Sequence, residues 1–308
     1  MRQKFFTFLL IATAGLMSCR KSTISPNIEQ EDNTQILSYI SAHNLTGMKR
    51  DTVGGDTSGI YYQTILPGKA NTSYAYPDSI SFVFSLSSFD GSYTSPDTTY
   101  NHYASYVGHI TTAALPYGLQ LVIHDVLKRG GSMRVLIPSH LGYGISGYGS
   151  GSSSNLNSKI AGNQCLDYYV HAITNQPAYD DQVIRSFITA NNYTGYQKTA
   201  SGLWYLVHTP GIGTDIINDN SNVTTTYTGY LLNTNIFDQY NTVDGSGISK
   251  DIDAFLPGVQ EGLKSFATTG AYISFILPSN LAYGALGTTG VPVNSVVRFD
   301  MRVTAVTP

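Results

Sequence analysis

Few side chains in this 308-residue sequence lie at spacings that support familiar chemistry. Seven His residues are scattered along it. His102 and His109 fall in one loop-like stretch, but no Cys/His spacing matches a zinc site, and no metal or other cofactor is expected. Asp251 and Asp253 in "SKDIDAF" lack the ligand pattern of a calcium loop. "GYGSGSSSN", from Gly147, is glycine-rich but lacks the Lys-Ser/Thr ending of a phosphate loop. What stands out is a tyrosine delivered twice in the same setting. "VLIPSHLGYGISGYG" runs from Val135 to Gly149, and "FILPSNLAYGALGTTGVPVNSVVRFDMRV" from Phe275 to Val303. Each has an apolar strand-like run, then Pro-Ser, a polar residue, Leu, a small residue and Tyr-Gly, with Tyr143 in one copy and Tyr283 in the other.

Self-comparison shows that the elements around these tyrosines repeat as well. Apolar residues at helical spacing (Ile36, Leu37, Ile40 and Val183, Ile184, Phe187, Ile188) predict a helix at the start of each unit. Asn33 and Asp181 are the candidate N-caps. An alternating strand follows, Ile60–Leu66 or Leu203–Val207, and a Pro-Gly turn ends it. The next strands are Ser79–Leu86 and Val223–Leu232. The segments "ALPYGLQLVIHDVLKRGG" and "FLPGVQEGLKSFATTG" read as a turn into a short amphipathic helix that ends near Gly130 or Gly270. The tyrosine motif and a last strand, Gln164–Ile173 or Val296–Val306, complete each unit. The polar stretch Asn175-Gln176-Pro177 reads as the linker, which gives units 34–175 and 176–308.

The chain starts with a targeting pattern. Arg2 and Lys4 precede "FFTFLLIATAGLM", which is too short for a comfortable membrane span and reads as a secretory signal over residues 1–18. Leu16-Met17-Ser18-Cys19 resembles a bacterial lipobox, which implies acylation of Cys19, a lipid anchor in the membrane and a place in the cell envelope, on its periplasmic side. Residues 19–33 are a polar tether. If Cys19 carries lipid, Cys165 has no intramolecular partner, and its setting in "NQCLDYYV" reads as a buried structural thiol. A net charge of −3 with no basic excess argues against nucleic acid. The sequence is silent on oligomeric state.

The order of a strand, "LPSNLAYG", a glycine-rich loop, "VPVN" and then apolar-x-Phe-Asp resembles the FKBP-type peptidyl-prolyl isomerases. The match is strongest over about 100 residues of the second unit. The resemblance implies an α+β fold of two tandem FKBP-like domains, each a twisted, mostly antiparallel sheet around a short helix. It also implies a substrate class, proline-containing polypeptides, and a role in the folding of exported proteins. By position in the motifs, Tyr283, Asp238 and Tyr227 would be the catalytic residues. Phe237, Phe255, Leu256, Val259, Val291 and Phe299 would form the substrate pocket, with Val291 on an overhanging loop and the Leu256 N–H donating to a substrate carbonyl. Such a site needs no nucleophile or metal. Rotation about an Xaa-Pro bond is slow because it breaks amide resonance, at a cost of about 18–20 kcal/mol. A pocket that prefers the twisted amide is sufficient.

The second unit departs from the family pattern in three places. Val259 stands where the family has a Trp, "NTVDGSGISKD" offers only small and polar residues where a second aromatic is expected, and the loop after Tyr283 is one residue short. The first unit departs further. Phe84 replaces the strand Tyr, Leu119 replaces the Trp, Tyr168 replaces the terminal Phe, and no Phe-Asp pair is present. Two functional classes follow: an isomerase whose activity sits in the second unit, or a peptide-binding chaperone or accessory module in which both pockets have drifted.

Overall fold

The computed structural model describes residues 27–53, 58–149, 159–241 and 245–307. The signal segment, Cys19 and most of the first unit's glycine-rich loop lie outside them. The fold is α+β, with two seven-stranded sheets whose strand pairings are all antiparallel. The first sheet holds β1 (Lys49–Arg50), β2 (Tyr61–Leu66), β3 (Ser79–Ser88), β4 (Thr94–Ser95), β5 (His102–Tyr106), β6 (Ser132–Ile137) and β7 (Leu166–Ile173). The second holds β8 (Gln197–Lys198), β9 (Trp204–Thr209), β10 (Asn222–Leu231), β11 (Ile236–Tyr240), β12 (Ile248–Asp251), β13 (Tyr272–Leu277) and β14 (Val297–Thr307). Strand order is β1-β2-β6-β7-β3-β4 with β5 also on β3, and β8-β9-β13-β14-β10-β11 with β12 also on β10. The two orders are the same, so the sequence repeat is a repeat of fold.

Each unit begins with a 15-residue helix, α1 (Ile28–Ala42) and α3 (Gln176–Ala190). Both start about one and a half turns before the expected N-caps. The caps are Asn27, whose side chain accepts from the Glu29 N–H, and Asn175, which accepts from the Ala178 N–H. Asn175-Gln176-Pro177 is therefore not a linker. It is a cap followed by a proline in the first turn, where the missing N–H costs nothing. Asn33 and Asp181 lie inside the helices. The Asp181 carboxylate pairs with Arg185 and Lys198 and accepts from the Trp204 indole N–H. Apolar periodicity starts only where the helix meets its sheet, which is why it misplaced both starts.

The short helices are α2 (Tyr117–Asp125) and α4 (Pro257–Phe266). They stop before Gly130 and Gly270, whose positive φ values of 73° and 91° instead turn the chain into β6 and β13. Gly118 and Gly258 let each helix start close to a strand: a Cβ there would lie 2.5 Å from Ile137 and 2.8 Å from Leu277. One turn on, the units differ by a size exchange. Val122 and Val135 are both buried in the first, whereas in the second Gly262 leaves room for the Phe275 ring, 2.3 Å from where its Cβ would be.

The repeated Pro-Ser gains its meaning here. Asp180 on α3 is almost fully buried, and its carboxylate accepts from the Ser279 N–H (2.8 Å), the Ser279 hydroxyl (2.6 Å) and the Gln176 amide (2.7 Å). Asp32 on α1 does the same work in the first unit, accepting from the Ser139 hydroxyl (2.7 Å) and the His140 N–H (3.2 Å). Each aspartate fixes the turn that leads, four residues later, to Tyr283 or Tyr143. Cys165 packs beside Asp32, and burial pushes its thiol up to about 12. The units also touch. Asn233 and Asn235, in the β10–β11 turn, donate to Asp97 (2.6 Å) and to the Tyr100 hydroxyl (2.8 Å).

Candidate active site

A cavity of about 290 Å³ opens between α4 and the second sheet. This is near the lower end of the usual range for small-molecule sites. Its walls come from six segments that the sequence scatters over 75 residues. Tyr227 faces inward from β10, and Met301 and Phe299 from β14. Asp238 comes from β11 and Lys250 from β12. Ala254, Phe255, Leu256, Pro257 and Val259 line the entry to α4, and Tyr283 closes the opposite side. Strand alternation explains the first group: Tyr227 pairs with Met301, and Gly229, two residues on and on the same face, pairs with Phe299.

Gly229 gave no signal in the sequence, yet it sets the geometry of the wall. A Cβ there would sit 2.8 Å from the Phe237 ring and 2.9 Å from the Phe299 ring. Its absence lets these rings meet edge to face, centroids 5.5 Å apart, and Phe237 meets Tyr283 in the same way at 5.9 Å. Phe237 therefore buttresses two lining rings without lining the cavity itself. Val291 is also placed differently from the expectation. It is 2% exposed in the core, bridges to Thr288, and does not overhang the cavity. Trp204 packs with Ile184, Ile276 and Val296, away from the cavity. Val259 lines the floor, where its small side chain contributes to the depth.

The polar groups divide into spent and unspent. The Tyr227 hydroxyl donates to the Asp238 carboxylate at 2.9 Å. Burial first, and then Asp238, raise the Tyr227 pKa. Burial and the nearby Asp238 raise that of Tyr283 too, so its hydroxyl keeps its proton throughout the neutral range. Among the described residues, no group accepts from the Tyr283 hydroxyl or from the Leu256 N–H, which caps α4. Besides the Lys250 ammonium, the site thus holds two unspent neutral donors on a mostly apolar surface. It can desolvate a small ring and hold carbonyl oxygens.

The first unit lacks each of these features. Leu86 occupies the register position of Gly229, facing Tyr168 as Gly229 faces Phe299. The cap of α2 is Pro116, which has no N–H to offer. Tyr143 donates to the Ala114 carbonyl at 3.2 Å and stacks on Tyr148. Tyr168 is fully buried; its hydroxyl lies beside that of Tyr143 but makes no hydrogen bond within 3.5 Å among the described residues.

The chain was compared with known proteins. Residues 213–304 match the family described as FKBP-type peptidyl-prolyl cis-trans isomerase. Among curated relatives, the isomerase FkpA of Buchnera aphidicola (from Schizaphis graminum) is 36% identical over 109 residues, which cover 35% of this chain and 42% of that protein. FkpA of Escherichia coli K12 is 35% identical over 114 residues, 37% of this chain and 41% of that one. The chain therefore spans about two fifths of the curated relatives it matches. The crystal structure of FkpA from Escherichia coli aligns at 31% identity over 43% of this chain and 60% of that chain, with a TM-score of 0.38. Residues 213–304, which match the FKBP-type peptidyl-prolyl cis-trans isomerase family, contribute every wall of the cavity described above.

Proposed function

We propose that this protein is a peptidyl-prolyl cis-trans isomerase that acts on proline-containing polypeptides through its second unit, residues 176–308. The first unit, residues 34–175, is a non-catalytic repeat of the same fold. The observation that carries the proposal is the pair of unspent donors, Tyr283 hydroxyl and Leu256 N–H, on one apolar cavity. A prolyl ring in that cavity leaves the carbonyls on either side within reach of these donors. Loss of water around the ring and fixed donors at the carbonyls favour the twisted amide, whose resonance is broken, over the planar one. In this reading Tyr227 and Asp238 hold each other as a polar wall, and Phe237, Phe255, Val259 and Phe299 shape the pocket. Val291 supports the loop from the core.

Tyr283→Phe tests the reading, because it removes one hydroxyl and keeps the ring. A hydrogen bond to a neutral partner is worth about 0.5–1.5 kcal/mol, so kcat/KM for a prolyl peptide is expected to fall roughly threefold to tenfold. Tyr143→Phe should leave the rate of the full chain unchanged. Equal losses from the two substitutions would remove the assignment to the second unit. A wild-type protein that binds prolyl peptides without speeding their exchange would leave a binding module, a reading that Val259 in place of a larger aromatic favours.

The resemblance of Leu16–Cys19 to a lipobox supports export and a lipid anchor at Cys19 in the cell envelope. Such a protein would assist the folding of exported polypeptides. Cys19→Ala should release the mature chain from the membrane fraction or leave its precursor uncut. Unchanged fractionation with membranes would rule the anchor out.

A further inference from the structure

Lys250 is the feature of the cavity that simple prolyl binding does not use. It lies on β12, in the stretch that offers no aromatic residue, and its ammonium sits 5.9 Å from the Tyr227 ring centroid and 5.8 Å from that of Phe255. It thus joins the cavity wall between two ring faces, half-buried. Aromatic faces attract a cation and hold it in place, but they do not neutralise it. Lys198 and Lys264 each reach a carboxylate within 2.8 Å. Lys250 reaches none within 4.0 Å among the described residues, although Asp238 lines the same cavity and Asp251 and Asp253 are close in sequence. Asp238 accepts from Tyr227, and Asp251 accepts from the Asn222 amide.

We propose that Lys250 makes this site select prolines flanked by an acidic residue. The inference rests on the isomerase reading and names its substrate class. A peptide whose prolyl ring fills the apolar cavity must carry its neighbouring side chains out past the cavity wall, where Lys250 offers an unpaired, partly desolvated positive charge. A carboxylate on the residue before or after the proline gains an ion pair there, and a lysine at the same place is repelled. Asp238 keeps its negative charge and weakens this preference, but it lies more than 4.0 Å from the ammonium, so a peptide carboxylate in direct contact with Lys250 interacts more strongly with it.

The test uses the full-length mature protein and peptides that differ only at the residue before or after proline, with Glu, Gln or Lys in turn. Exchange between cis and trans is read by NMR line broadening, and affinity by shift titration on the same samples. An exposed to half-buried pair predicts roughly a threefold to tenfold preference for Glu over Lys at low salt, falling as ionic strength rises. Lys250→Met keeps the apolar stem and should bring the Glu:Lys ratio toward one, and Lys250→Glu should invert it. The ratio is internal to each protein, so a general loss of activity does not obscure it. Equal rates and affinities for Glu and Lys peptides in the wild type would overturn the inference while leaving isomerisation intact. Absence of exchange with every peptide would instead overturn the isomerase reading, and the affinities would still decide the charge preference.

Discussion

If the second unit is the isomerase proposed, Gly229→Leu is expected to lower its kcat/KM about 100-fold or more, equivalent to some 2.7 kcal/mol of transition-state stabilisation. The substitution gives the second unit the residue that the first unit already has at that register position, Leu86. Even a Cβ would lie 2.8–2.9 Å from the Phe237 and Phe299 rings, so the larger side chain must push both aside. Phe299 lines the cavity, and Phe237 holds Tyr283 edge to face, so one change disturbs both the wall and a donor. Overpacking of this kind costs about 1–3 kcal/mol of stability. The melting temperature should therefore be measured alongside the rate, to separate a filled pocket from an unfolded unit. The reciprocal change, Leu86→Ala, is expected to confer no activity on the first unit. Enlarging that wall supplies no donor, because Pro116 has no N–H and the Tyr143 hydroxyl is held by Ala114. Full activity in a well-folded Gly229→Leu protein would show that the Phe237–Phe299 wall is not needed.

The second large effect concerns stability. Asp180→Ala removes the acceptor for both the N–H and the hydroxyl of Ser279, which is 1% exposed. An unsatisfied buried donor costs about 1–3 kcal/mol, so a loss of about 2–4 kcal/mol is expected, or roughly 5–15 °C in the melting temperature of the second unit. Because Ser279 opens the turn that leads to Tyr283, activity should fall below the melting temperature as well. Asp180→Asn keeps the shape and one acceptor and should cost less. Burial raises the Asp180 pKa, against the opposing pull of Ser279 and Gln176. A raised acid pKa means that the folded state holds the proton more tightly than the unfolded chain does. The contribution of Asp180 to stability therefore grows as pH falls through the raised value, and levels off below the ordinary Asp range. Chemical denaturation from pH 7 towards pH 4 should shift the difference between wild type and Asp180→Asn in favour of wild type. A constant difference across that range would mean that Asp180 titrates alike in both states. The matching Asp32→Ala change should lower the stability of the first unit and spare the rate at the second.

What the sequence by itself determined is what local order and repetition encode. The two units and the four longest strands of each sheet followed from alternation and from the repeated motif, because a strand's two faces are written into its own residues, whereas the α+β class followed from the family resemblance and the short strands β1, β4, β5, β8, β11 and β12 gave no signal. The cavity-lining aromatics Tyr227, Phe255, Tyr283 and Phe299 were reached through the family resemblance of the motifs that hold them. Helix starts did not, because capping at Asn27 and Asn175 precedes the residues that show any apolar period. The tertiary structure alone decided which residues act across distance. Asp180 lies 99 residues from Ser279, and no local pattern marks a carboxylate that will be buried under a turn formed so much later in the chain. Gly229 matters only because β11 and β14 bring two rings against it. Val291 is apolar in either place, and packing rather than sequence put it in the core. Lys250 carries no signal in the sequence, and it gains its place only when β12 pairs with β10 and carries its ammonium between the rings of Tyr227 and Phe255. In each case the deciding quantity is a through-space distance of a few ångströms between groups far apart in sequence, and only the closed sheet sets that distance.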